Sequence, residues 1–172
     1  MNLLDYLPGV PDFPKPGILF RDISPLLAHP AAFREAIAQL EVLAQAFDYT
    51  HILGIESRGF IFGSALAHHT HKGLVLARKP NKLPLASHRE SYGLEYGSDS
   101  LEFQQSSLPK HAKVLLLDDV LATGGTLFAA DKLVRSAGFT VCGAITLLEI
   151  SALNGSTLLS QNGIANKSVL VS

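Results

Sequence analysis

One stretch restricts the fold more than any other: Lys113 to Leu127, KVLLLDDVLATGGTL. Val114 to Leu117 is apolar at every position, the pattern of a strand buried on both faces in a parallel sheet. Two carboxylates follow, Asp118 and Asp119, then Val120 and Leu121. A loop of small residues comes next, Ala122-Thr123-Gly124-Gly125-Thr126. Beyond it, Leu127, Ala130, Leu133, Val134 and Ala137 fall on one side of a helix. The unit is strand, acidic pair, glycine loop, helix.

Each part has a chemical use. Glycines let the backbone turn tightly and approach a ligand closely. The first amides of a helix lack internal partners and carry partial positive charge, so a phosphate fits there. Thr123 and Thr126 add hydroxyl donors. Asp118 and Asp119 would repel a phosphate but can accept hydrogen bonds from sugar hydroxyls. The pattern suits a molecule with a phosphate at one end and a ribose diol nearby. The chain has no GxxxxGK[ST] motif and no GxGxxG fingerprint, which excludes a lysine-bearing P-loop and a dinucleotide fold. The whole stretch resembles the phosphoribosyl-pyrophosphate (PRPP) signature of type I phosphoribosyltransferases. That resemblance gives Asp118, Asp119 and the loop Ala122, Thr123, Gly124, Gly125 and Thr126 to PRPP and to the nucleotide product.

The length of 172 residues predicts one domain with a real core. Its 47% hydrophobic and 17% charged residues fit a globular chain. A formal net charge of −1 leaves no global field to recruit nucleic acid or an anionic membrane. The single cysteine, Cys142, excludes an internal disulfide framework and suits a reducing compartment; it reads as a small buried apolar residue. The N-terminus has no basic segment of a signal peptide, and no apolar run reaches the length of a membrane span. The expected location is the cytoplasm.

Residues 1–30 are dense in proline yet carry Phe13, Ile18, Leu19 and Phe20, which predicts an ordered irregular cover. Pro30 to Ala46 reads as the first helix, with Phe33, Ile37 and Leu40 on one stripe. His51 to Ile55 is a short strand running into Glu56-Ser57-Arg58, and a helix follows over 61–71. His68, His69 and His71 at its end lack a supporting cysteine or carboxylate, so a solvated helix end is expected rather than a metal site. Gly73 to Ala77 is another strand, ending in Arg78-Lys79-Pro80-Asn81-Lys82, where open α/β sheets bind ligands. Residues 85–107 show no clean period, which predicts an extended lid returning as a strand over 100–104. Further strands over 140–148 and 168–171, with a helix over 151–160, complete the chain.

Four of these segments resemble the adenine phosphoribosyltransferase family, in the family's order. PDFPKPGILFRDISPLL resembles its base-binding hood, which implies that Leu19 and Arg21 meet adenine through their backbones while Phe20 stacks on the ring. GIESRGFIFG resembles its pyrophosphate loop, which implies roles for Glu56, Ser57 and Arg58 and a cis peptide at Glu56-Ser57. RKPNKLP resembles its phosphate-binding turn and implies Arg78, Lys79 and Lys82; Asn81 replaces the usual glycine, and Asn tolerates positive φ. SYGLEYG resembles its catalytic loop and places the general acid/base on Glu95, with the preceding ASHRE departing from the family pattern.

The resemblance implies a type I phosphoribosyltransferase fold: an α/β domain with a central parallel sheet flanked by helices, a hood over 1–30 and a flexible lid over 80–105. It implies transfer from PRPP to adenine giving AMP and pyrophosphate, with catalysis by Glu95 and Arg58. It further implies Mg²⁺ held mainly by PRPP and water, and a homodimer. Two alternatives stay open, another base as substrate and a non-catalytic PRPP-sensing regulator; the chain has no basic stripe or helix-turn-helix to support the second.

Overall fold

The computed structural model describes residues 1–85, 88–94 and 97–172. These group into two compact units, Met1–Gln39 and Leu40–Ser172. In the first, a 3-10 turn (Leu3–Tyr6) precedes two antiparallel strands, β1 (Gly9–Pro11) and β2 (Leu19–Arg21). The turn between the strands is closed by Asp12, whose carboxylate accepts the Gly17 N–H at 2.7 Å. The short helix α1 (Ser24–Ala28) follows, and then α2 (Pro30–Ala44), which runs into the second unit. The proline-dense stretch is thus ordered around a two-stranded ribbon.

The second unit is built on five parallel strands: β3 (His51–Ile55), β4 (Gly73–Ala77), β7 (Lys113–Leu121), β8 (Thr140–Glu149) and β9 (Asn166–Val171). Their spatial order is β4-β3-β7-β8-β9. Helix α3 (Gly59–Thr70) joins β3 to β4, α4 (Gly125–Ser136) joins β7 to β8, and α5 (Gly155–Gln161) joins β8 to β9. Both faces of the sheet are covered. On one, Gly63 of α3 lies close to Ile52, Gly54 and Leu74. On the other, Leu53, Ile55, Val114 and Leu116 share a core with Leu127, Ala130, Leu133, Val134 and Ala137 of α4, the stripe expected from the sequence.

Several expected bounds change. The apolar strand extends through the acidic pair to Leu121, because Asp118, Val120 and Leu121 still pair with β8. The lid region is a hairpin: β5 (His88–Leu94) pairs antiparallel with β6 (Gly97–Phe103), and β6 begins three residues before the predicted strand. It lacked a strand signature because most of its residues are polar; among the described residues of β6, Leu101 and Phe103 enter the α4-side core. The helix expected over 151–160 is a 3-10 turn (Ser151–Leu153) and α5, interrupted where Asn154 adopts φ +57°. Cys142 is half-buried rather than buried. A register shift after Val114 leaves it outside the ladder, and its thiol donates to the Asp48 carbonyl at 3.0 Å. Among the described residues no helix is long and apolar enough to cross a membrane.

Leu116 is fully buried and faces α4. Leu116→Ala is expected to destabilise the protein by about 2–5 kcal/mol, the usual cost of a core leucine truncation, measured by urea denaturation.

Candidate active site

The strand order reverses its direction of growth between β3 and β7: the chain moves outward from β3 to β4, then returns to place β7 on the other side. Connections leaving such a pair diverge, and the crevice between them is where open α/β sheets bind ligands. Both loops singled out in the sequence open there. Arg58 follows β3, Asp119 lies near the C-terminal end of β7, and the two form an ion pair, Nε to Oδ2 2.8 Å. The contact is close but not aligned as a hydrogen bond. Asp119 is buried and Asp118 half-buried; Asp118 Oδ1 accepts the Asp119 N–H at 2.8 Å. Burial pushes both carboxyls up. The neighbouring Asp119 charge holds Asp118 well above the usual carboxylate range, while Arg58 pulls against the rise in both. Groups with shifts of this origin, lying in a crevice, mark functional sites.

The glycine loop sits beside the acidic pair. Asp118, Val120 and Ala122 to Thr126 line one small concavity. Gly124 takes φ +86° and accepts the Phe128 N–H, starting α4. A side chain on Gly124 would come within 2.9 Å of the Gly155 carbonyl, and one on Gly155 within 2.3 Å of the Ala122 carbonyl. The loop is therefore moulded against the turn that opens α5. On the other wall, a Cβ on Gly59 would lie 2.8 Å from the Leu117 carbonyl, so only glycine lets α3 start this close to β7.

Glu56 is the centre of the cationic wall. Its Oε2 accepts Arg78 Nε at 3.1 Å and the Lys79 N–H at 2.6 Å, and its Oε1 accepts Lys82 Nζ at 2.6 Å. Burial would raise its pKa, but Lys82, the Lys79 amide and Arg78 outweigh that and lower it to about 2. The expected cis peptide at Glu56-Ser57 is present. Asn81 holds φ +65°, so the turn keeps its shape with Asn in place of glycine.

A model of the phosphoribosyl transferase domain matches residues 22–161. An adenine phosphoribosyltransferase of Polynucleobacter asymbioticus is 82% identical and covers 99% of each chain. The chain belongs to the adenine phosphoribosyltransferase family. Two solved structures support the fold over its full length. The adenine phosphoribosyltransferase of Rhodothermus marinus has a TM-score of 0.91 at 44% identity, covering 99% of this chain and 96% of that one. The enzyme of Giardia lamblia, complexed with 9-deazaadenine, has a TM-score of 0.92 at 37% identity, covering 100% and 98%.

The structure brings together most of the residues that the family resemblance singled out. Glu56, Ser57, Arg58, Arg78, Lys79 and Lys82 lie on the β3 side, while Asp118, Asp119 and Ala122 to Thr126 lie on the β7 side. Leu19, Phe20 and Arg21 form β2 of the first unit, where the Phe20 ring meets Phe13 edge-on at 5.0 Å. Glu95 lies outside the described residues. The histidines lie at a helix end: His69 contacts Glu41 at 3.0 Å and His71 closes α3 at φ +55°. Among the described residues no cluster of three or more His, Cys, Asp or Glu side chains is placed to hold a metal ion. Gly59 and Gly155 went unmarked in the sequence, since each matters only through a partner distant in the chain. The spacing of Glu56 from Arg78 and Lys82 gave no sign of their pairing either.

The folded pKa of Glu56 lies below the usual 4.5. Its contacts therefore stabilise the fold fully above about pH 4.5 and are lost as pH falls towards about 2. Glu56→Gln should lower the urea midpoint relative to wild type at neutral pH. That gap should narrow steadily below about pH 4.5.

Proposed function

We propose that the chain catalyses transfer of the 5-phosphoribosyl group from PRPP to adenine, giving AMP and pyrophosphate. The observation that carries this reading is the acidic pair continuous with the Gly124 loop, at a sheet switch point and opposite a cationic wall. That arrangement suits a ribose diol, a 5′-phosphate and a pyrophosphate in one molecule. The names of the relatives narrow the base to adenine, as does the 9-deazaadenine bound to the Giardia enzyme.

In this reading Ala122 to Thr126 hold the 5′-phosphate with helix amides and hydroxyls. Asp118 and Asp119 accept hydrogen bonds from the ribose hydroxyls, contacts that favour their charged form against burial. Arg58, Arg78, Lys79 and Lys82 stabilise the charge that builds on the leaving pyrophosphate. Leu19 and Arg21 read the base edge, Phe20 stacks on it, and Glu95 exchanges a proton with the purine as N9 attacks the anomeric carbon. The 1–30 hood and the 80–105 lid belong to one working domain and exclude water from the activated centre.

Two carboxylates, one already paired with Arg58, are too few donors for a cage made of protein alone. They do fit Mg²⁺ carried in by PRPP and water, held near Asp118 and Asp119. When bound, the metal neutralises charge on the pyrophosphate oxygens. We assign the enzyme to the cytoplasm, on the strength of its single cysteine, and to a homodimer, as the family resemblance implies.

The test is AMP formation from adenine and PRPP by the purified protein, with hypoxanthine and guanine as competing bases. Product from adenine alone is expected. Absence of AMP, or equal use of hypoxanthine, would overturn the assignment. Gly124→Val is expected to weaken both PRPP and AMP by at least about tenfold in calorimetry, because both carry the 5′-phosphate.

A further inference from the structure

Among the described residues the charged residues buried as a whole are Glu102, Asp119 and Asp131. Asp119 belongs to the crevice, and Asp131 is held by Arg135 one turn later in α4, at 2.7 Å. Glu102 has no part in the chemistry above. It lies on β6 and is only 3% exposed. Its contacts all lead to the basic turn or to the strand paired with it. The Glu102 backbone exchanges two hydrogen bonds with Arg78, each 2.8 Å. Its Oε2 accepts the Asn81 N–H at 3.2 Å. Its Oε1 accepts Arg89 Nε at 2.6 Å and also Arg89 Nη2. Arg89 stands directly across from it on β5.

We propose that Glu102 is a positioning residue for the pyrophosphate-binding turn, with Arg89 as the cation that keeps its buried carboxylate in place. The reasoning runs through the turn. Asn81 holds a left-handed backbone that a non-glycine residue adopts reluctantly. Its amide is fixed by the Glu102 carboxylate. Lys82 follows immediately, and its ammonium reaches Glu56 from this turn. Arg78 precedes it, with its backbone pinned by Glu102 and its guanidinium also on Glu56. Both ends of the cationic wall are thus set by one buried carboxylate. That carboxylate needs a neutralising partner, since a buried charge without one is costly. Arg89 supplies it from the segment ASHRE, the stretch that departs from the family pattern.

This inference rests on the reading that the turn holds pyrophosphate while the Gly124 loop holds the 5′-phosphate. PRPP and AMP therefore separate a positioning role from a general loss of structure, because AMP lacks pyrophosphate. Calorimetry with each ligand should show E102Q weakening PRPP about tenfold, the scale of one hydrogen bond to a charged group. AMP affinity should stay within about twofold of wild type. R89Q should act in the same direction, and the double variant should be no weaker than E102Q, because the two residues act through one contact. R89K, which keeps the charge, should recover part of the loss seen with R89Q. A folded E102Q that binds PRPP like wild type overturns the proposal, as does an equal loss for AMP. Should E102Q fail to fold, R89Q decides the matter in the same way, since the Arg89 side chain is 55% exposed. Binding is read without turnover. Wild type that binds PRPP but makes no AMP from adenine would overturn the reaction and leave the Glu102 result standing.

Discussion

The parallel pairing of β3 with β7, from His51 opposite Val114 to Gly54 opposite Leu117, is the constraint on which everything else depends. These strands are separated in the chain by α3, β4 and the whole hairpin. Side by side, they deliver two loops of opposite chemistry to one crevice, one cationic and one acidic. The pairing is possible because both strands are apolar on both faces and because helices cover each face. A one-residue slip would turn Leu53 and Leu116 out of the α4-side core and misdirect Asp118 and Asp119 as well.

Apolar burial fixes the sheet, but ion pairs fix the loops. Asp119 is matched by Arg58, Glu56 by Arg78 and Lys82, and Glu102 by Arg89. Each carboxylate comes from one segment and its cation from another, so each pair ties two segments together beyond the strands that carry them. Ion pairs between a buried carboxylate and a part-exposed cation add little net stability, because desolvation of the carboxylate offsets most of the attraction. Their effect is geometric: each leaves its loop few alternatives that would not strand a charge.

Local signals carried much of this into the sequence. The run Val114 to Leu117, the acidic pair and the glycines are contiguous, so their strand–loop–helix order was legible at once. The same holds for His51 to Ile55 and for Gly73 to Ala77, whose bounds match the structure. What stayed hidden depends on partners far along the chain. Gly155 touches the Ala122 loop, Gly59 touches β7, and Glu102 reaches three segments; none has a pattern of its own. The β5–β6 hairpin was obscured for another reason. Its residues are polar on most positions, so the hairpin shows little alternation in sequence, although Leu101 and Phe103 reach the core. Asn154 broke the last predicted helix because a single left-handed residue is invisible to periodicity.

The contact between the Gly124 loop and Gly155 has a thermodynamic consequence. Fixing a flexible loop around a ligand costs roughly 1–2 kcal/mol of backbone entropy for each residue ordered. Here Gly124 already has its left-handed backbone, and α5 already occupies the space into which the loop could relax. The ordering cost falls on folding of the chain and not on arrival of the phosphate. A ligand meeting this loop gives up its own freedom alone, so its phosphate contributes more of its intrinsic binding energy than it would in a loop that had first to close.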